Sequence, residues 1–192
     1  MSGSTIYDIS TFQKQDDDVF LLDCNVLMYI YYTFGGYSNS IMNPYKTFFN
    51  NIATCPDCII YPAVLISEFS NTYIQREYKR YLRTNSLSRK DFDFKKNYKK
   101  TNDYVTTIND ISDIINNQIM TLPSSIIKTD DFKQMNLKTL FKKQQTFDFN
   151  DRYYGELCKR NHIYIVTNDS DFEYIDNIKI LTSNPNMLSL QS

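Results

Sequence analysis

The sequence predicts an α/β protein, a three-layer α/β/α arrangement around a mostly parallel central sheet of about four to five strands. Three observations lead there. Short apolar runs such as Phe20-Leu21-Leu22 and Tyr164-Ile165-Val166 lack the alternation of a half-exposed strand, so both their faces are expected to be covered. Helix-patterned segments separate these runs, and strands separated by helices pair in parallel. At 192 residues and 42% hydrophobic, the chain is long enough to bury such a core and reads as one domain, 1–192. Residues 1–18 and 183–192 are expected at its periphery.

Each element has its own justification. VFLLD (19–23) is the first strand, and NVLMYIYYTF continues from it as a helix until Gly35-Gly36. NPYKTFFNNIAT reads as a short helix with Pro44 near its first turn, where a missing N–H does no harm. CIIY (58–61) is the second strand. Pro62 suits the first position of the helix that follows, in which Val64, Leu65, Phe69, Tyr73 and Ile74 recur at helical spacing. The polar, basic RTNSLSRKDFDFKKNYKK is a loop or partial helix. Val105, Ile108, Ile111, Ile115 and Ile119 mark the apolar face of the next helix. SSIIKT (124–129) is a third strand, and DDFKQMNLKTLFKK a helix capped by Asp130. FDFNDRYYGELCKRN (147–161) is helical, IYIVT (163–167) a strand, and IKIL (178–181) the last short strand.

Composition narrows the functional classes. The net charge is −1, so a nucleic-acid partner would have to be met by a local basic patch. The opening MSGSTIYDIS lacks the basic-then-apolar layout of a signal peptide, and no apolar run is long enough to span a bilayer. A cytoplasmic protein with no membrane partner is expected. Four cysteines are few for a disulfide framework. The Cys55-Pro-Asp-Cys58 pair would need two further Cys or His ligands for a structural zinc site, and the chain has one histidine, His162. These thiols are therefore read as buried or incidental.

The acids are more telling. In an open parallel sheet, ligands bind off the carboxyl ends of the strands. Asp23 ends the first strand, and Asp169 follows the IYIVT strand by two residues. Glu68 lies two turns into the helix after the second strand, and Asp151 early in the helix before IYIVT. Two carboxylates ~5 Å apart repel by roughly 3 kcal/mol at an effective dielectric of ~20, so such a cluster binds protons or a cation. Oxygen ligands without histidine or thiolate suit Mg²⁺ or Mn²⁺, which can activate water for attack on a phosphodiester. Taken singly, each acid also has a plain role as a helix cap, turn residue or solvent-facing side chain.

FLLDCNVLMY, LISEF and DRYYGELCKRNHIYIVTNDSDF together resemble the successive motifs of the PIN-domain ribonucleases. That family includes the toxin nucleases of toxin–antitoxin systems and RNA-processing nucleases. Asp23 and Asn25 match its first motif and Glu68 its second. Asp151, Thr167, Asp169 and Asp171-Phe172 match the last run in order. The resemblance covers roughly residues 19–74 and 145–182. The middle, about 75–145, is longer than in the small toxin members and reads as a variable helical insert. The resemblance implies a Mg²⁺- or Mn²⁺-dependent endoribonuclease in which Asp23, Asp151 and Asp169 hold the metal. Glu68 would hold it through water or orient the attacking water. Asn25 and Thr167 would orient the carboxylates, with Asp148 an outer ligand or helix cap and Asp171 an auxiliary acid. Asp148 competes with Asp151 for the third acid position. An antitoxin protein and a homodimer are partners the resemblance admits.

Between residues 76 and 100 basic and aromatic residues interleave. Arg76, Lys79, Arg80, Arg83, Lys95 and Lys96 are the candidates for phosphate contacts. Tyr78, Tyr81, Phe92, Phe94 and Tyr98 are candidates to stack unpaired bases, a footprint of single-stranded RNA binding. The same stretch also fits a solvated face. Two rival functions stand beside the nuclease. One is a catalytically silent PIN-like module that binds RNA or a protein. The other is a haloacid-dehalogenase-like phosphatase, which needs an Asp where Asn25 stands.

Overall fold

Apolar runs covered on both faces build the centre of the protein, described here from a computed structural model over residues 3–126, 132–135, 140 and 148–191. The strands are β1 (Thr5–Asp8), β2 (Phe20–Leu22), β3 (Ile59–Ile60), β4 (Ser125–Ile126), β5 (Tyr164–Val166) and β6 (Lys179–Thr182). They lie in the order β1-β6-β5-β2-β3-β4, every neighbouring pair parallel. The helices are α1 (Cys24–Tyr31), α2 (Asn39–Ile52), α3 (Ala63–Thr84), α4 (Asn102–Asp113), α5 (Phe149–Asn161) and α6 (Pro185–Leu188). Together they make a three-layer α/β/α fold. Among the described residues, no helix is long and apolar enough to cross a membrane.

The sheet has one strand more than the sequence led us to expect. β1 is polar and partly exposed, with no apolar run to betray it. It joins the sheet edge in register from Thr5↔Lys179 to Asp8↔Thr182, and its Ile6 and Tyr7 side chains pack against the core, Tyr7 edge-on to Tyr164. The helix boundaries also shift. α2 starts at Asn39 behind Ser38, which leaves Pro44 inside the helix rather than in its first turn, and Pro62 precedes α3 as its cap position. The apolar stripe of α4 is turned relative to the expected one. Thr107, Ile111, Ile114 and Ile119 are buried, while Val105 is 55% exposed and Ile108 38%. Thr107, Ile111 and Ile114 follow ordinary α spacing, and the π-turn that continues α4, Ile114–Ile119, adds a five-residue step that brings Ile119 onto the same buried side. The expected strand 124–129 is described only over β4. The expected helix capped by Asp130 lies mostly outside the described residues, of which Phe132–Gln134 form a 3₁₀ turn.

Two ends of the sheet differ in chemistry. At the amino end, the rings of Phe20 and Tyr164 stand 5.7 Å apart, and Phe12 and Phe48 close over them edge-on. At the carboxyl end the strands run into Asp23, Thr167 and Thr182, all buried. The chain travels outward from β2 through β3 to β4, then returns beside β2 as β5 and leaves by β6. This reversal opens a crevice beyond the carboxyl ends of β2 and β5, the place where α/β sheets bind ligands.

Candidate functional site

Register decides what stands at that crevice. Leu22 pairs with Val166, so Asp23 and Thr167 leave the sheet side by side. The Asp23 backbone N–H donates to the Val166 carbonyl at 3.0 Å. Its carboxylate is only 6% exposed and each oxygen is engaged. Oδ1 accepts from the Cys24 N–H at 2.6 Å, capping α1. Oδ2 accepts from Asn25 Nδ2 at 2.6 Å and from the Thr167 hydroxyl at 2.8 Å. The same Thr167 oxygen accepts from Asn25 Nδ2 at 3.2 Å and from the Asp169 N–H at 2.9 Å. One buried hydroxyl thus ties the exits of β2 and β5 together.

Asp169 caps the following 3₁₀ turn (Ser170–Tyr174), its Oδ1 accepting from the Asp171 N–H at 3.0 Å. Phe172 is buried and pins that turn to the core. Tyr45, wholly buried on α2, braces the same edge from behind. Its hydroxyl lies 3.1 Å from the Thr167 carbonyl and 3.0 Å from Asn168 Oδ1, either of which can accept its proton, and it accepts from the Ser183 N–H at 3.0 Å.

α3 and α5 supply the opposite wall. Glu68, in the second turn of α3, accepts on Oε2 from the Tyr154 hydroxyl at 2.7 Å and from Asn150 Nδ2 at 3.0 Å. Asn150 and Tyr154 are four residues apart on α5 and so share a face. Asp148 caps α5, accepting from the Asp151 N–H at 3.1 Å, and Asp151 lies in its first turn. Burial, then the charge of Glu68, pushes the Tyr154 hydroxyl well up, so it remains a donor.

The acids so held meet at one cleft of about 400 Å³, lined by six carboxylates: Asp23, Glu68, Asp148, Asp151, Asp169 and Asp171. Its electrostatics follow from burial first and crowding second. Burial pushes Asp23 up to about 7, and the charges of Glu68 and Asp151 act the same way against the opposing hydrogen bonds from Thr167 and Cys24. Asp151 is likewise pushed up to about 7 by burial, then by Asp148, Asp169 and Glu68. Such a cleft takes up protons or a cation. Its donors are hard oxygens. The one thiol there, Cys24, is pushed up to about 12 by burial and stays protonated, so the set suits Mg²⁺ or Mn²⁺ rather than a thiophilic metal. Among the described residues, no three His, Cys, Asp or Glu side chains stand close enough to hold a metal ion as they are.

Of the basic candidates, Arg76 alone lines the cleft among the described residues. Lys79, Arg83, Lys95 and Lys96 are exposed elsewhere. Arg80 is committed to buried Glu77, which also accepts from the Tyr32 hydroxyl at 2.8 Å, and lies 3.6 Å from Asp103. The rings read as base-stacking candidates are corrected by the fold. Tyr78 and Tyr98 are buried with Leu82 in a satellite core, against which Tyr81, Phe92 and Phe94 pack. The aromatic rings between Tyr78 and Tyr104 thus pack on one another, while Ile111, Ile114 and Ile119 further along join the main core. His162 ends α5 in the left-handed conformation and is exposed, away from the cleft. All four cysteines are free, and Cys58 is buried with its thiol 3.3 Å from the Ile52 carbonyl.

Sequence reasoning missed Asn150 and Tyr45, and it did not link Tyr154 to Glu68. Asn150 and Tyr154 bracket Asp151 at helical spacing, a signal that was available. Tyr45 had none, because only the fold brings α2 across β5 and β6. Compared with models of known protein families and with curated protein sequences, the chain gives no match.

Proposed function

We propose that the protein is a PIN-like ribonuclease that hydrolyses phosphodiester bonds of single-stranded RNA with Mg²⁺ or Mn²⁺. The observation that carries this reading is the meeting of Asp23, Glu68, Asp151 and Asp169 in one cleft at the β2–β5 crevice, from four separate parts of the chain. Four acids crowded at a strand-end crevice, two of them shifted toward neutrality, are hard to account for by packing. Each would be more stable dispersed in solvent.

The chain's own groups divide the work. Asp23, Asp151 and Asp169 are the residues that would hold the ion. When bound, a divalent cation supplies charge for the phosphoryl oxygens and makes water a stronger nucleophile near neutral pH. Asn25 and Thr167 keep Asp23 Oδ2 in place, and Thr167 also fixes the backbone of Asp169. Glu68, steadied by Tyr154 and Asn150, is the carboxylate suited to orient the attacking water and take up its proton. Asp148 and Asp171 add negative charge at the rim.

The test is a cleavage assay on a labelled single-stranded RNA with Mg²⁺ or Mn²⁺. Asp23→Asn and Asp169→Asn are expected to lose metal-dependent cleavage, with circular dichroism unchanged. Full activity in both variants would sink the assignment, and chelation of the metal is expected to stop the wild type.

A further inference from the structure

The cleft faces a physical difficulty: six carboxylates must admit a polyanion. Arg76 is the one basic side chain among the described residues that line it. It lies on α3, four residues beyond Thr72 and eight beyond Glu68, so all three share a helical face, with Arg76 about 12 Å further along the axis. Side chains on a helix lean toward its N-terminus, and the Arg76 side chain lines the same cleft as the acids. Arg76 is exposed and, unlike Arg80, forms no ion pair among the described residues.

Its position is set by a neighbouring turn. The guanidinium carbon of Arg76 stands over the ring of Tyr37, 5.4 Å from the centroid, within the range of a cation–π contact. Tyr37 in turn meets Tyr29 edge-on at 4.8 Å, and Tyr29 packs on Tyr45, so the ring under Arg76 is backed by the core. Two of the chain's four glycines permit this. A Cβ on Gly35 would lie 2.1 Å from Tyr37 Cε2, so only glycine lets the ring fold back there. Gly36 has φ 62°, a left-handed conformation that glycine adopts without strain.

We infer that Arg76, held on the ring of Tyr37, binds a phosphate of single-stranded RNA adjoining the one that is cut, and that Gly35-Gly36-Tyr37 is the device that positions it. The inference rests on the ribonuclease reading for its ligand. A planar guanidinium presents parallel donors to phosphate oxygens, and stacking limits the freedom it loses on binding. Because the contact is to a phosphate that does not react, it holds substrate and transition state alike and acts on KM rather than kcat.

The experiment pairs binding with turnover. Fluorescence anisotropy of a labelled oligouridylate is measured in the Asp169→Asn background, and cleavage kinetics in the otherwise wild-type protein. Arg76→Ala is expected to weaken binding and raise KM roughly ten- to hundredfold with kcat nearly unchanged, the range of one charge-assisted contact. The slope of log affinity against log salt should shrink by about 0.7, the share of one phosphate on a single strand. Arg76→Lys keeps the charge but not the fork and should fall between. Tyr37→Ala should follow Arg76→Ala in direction, while Tyr37→Phe, which keeps the ring, should behave as wild type. Unchanged affinity and KM in Arg76→Ala, or Tyr37→Phe as damaging as Tyr37→Ala, would overturn the inference. RNA binding that depends on Arg76 in a wild type that cleaves nothing would sustain the phosphate contact and defeat the nuclease reading. No RNA binding by any form would defeat both.

Discussion

Thr167 shows how much one side chain can settle. Its hydroxyl donates to Asp23 and accepts from Asn25 and from the Asp169 backbone, with no exposure to solvent. Valine has nearly the same shape but none of these bonds, so Thr167→Val leaves a buried carboxylate and a backbone N–H short of partners. We expect a loss of about 1–3 kcal/mol in urea unfolding, with cleavage reduced more steeply than stability, because Asp23 and Asp169 lose their common anchor. Thr167→Ser keeps the hydroxyl and should recover most of both. A valine variant as stable and as active as wild type would remove Thr167 from this role. That Thr167 and Asn25 belong with the acids was legible from the sequence only through the resemblance. The hydrogen-bond pattern supplies the reason: Thr167 at the exit of β5 and Asn25 in the first turn of α1 both donate to Asp23 Oδ2.

At the scale of elements, the cleft depends on how closely α5 lies against the turn that carries Asp169 and Asp171. Gly155 sits on α5 where a Cβ would come 2.9 Å from Ile175 Cγ2. Cγ2 hangs from a branched carbon held by its own backbone, so it cannot swing aside cheaply. Gly155→Ala is therefore expected to push α5 from the 170–175 segment and destabilise by about 1–3 kcal/mol, despite alanine's better helix propensity. Thermal unfolding reads the cost directly, and a stabilised variant would show that the contact is not tight. The helices themselves were largely legible. α1, α3 and α5 emerge from spacing and caps, and β2, β3, β5 and β6 from their apolar runs. β1 escaped because four residues with only Ile6 and Tyr7 turned to the core make too short an apolar pattern, and the end of the α4 stripe because a π-turn breaks the 3.6-residue rhythm before Ile119.

For the whole molecule, the burial and mutual repulsion of the cleft's acids carry a pH signature. Asp23 and Asp151 have values near 7 in the folded protein against 3.8 for an ordinary aspartate. A group raised on folding contributes stability that is full below its unfolded value and is lost as pH rises through its folded value. The metal-free protein should therefore melt at a higher temperature at pH 5.5 than at pH 8. The difference is on the order of a few kcal/mol, mostly from Asp23, since half-buried Asp151 is screened by solvent. Asp23→Asn should flatten the dependence, and Mn²⁺ at pH 8 should restore the lost stability under the proposed function. A melting temperature that rises from pH 5.5 to pH 8 without metal would contradict this electrostatic picture. The sequence by itself determined the fold class and most elements, because periodicity and strand-end position are local properties, and it nominated acids that the fold brings to one cleft. Only the tertiary structure decided that β5 lies beside β2, that Glu68 is held by α5, that the rings between Tyr78 and Tyr104 pack on one another, and that Arg76 is the basic group among the described residues lining the cleft. Those facts depend on strand order, register and packing between segments far apart in the chain, which no local pattern encodes.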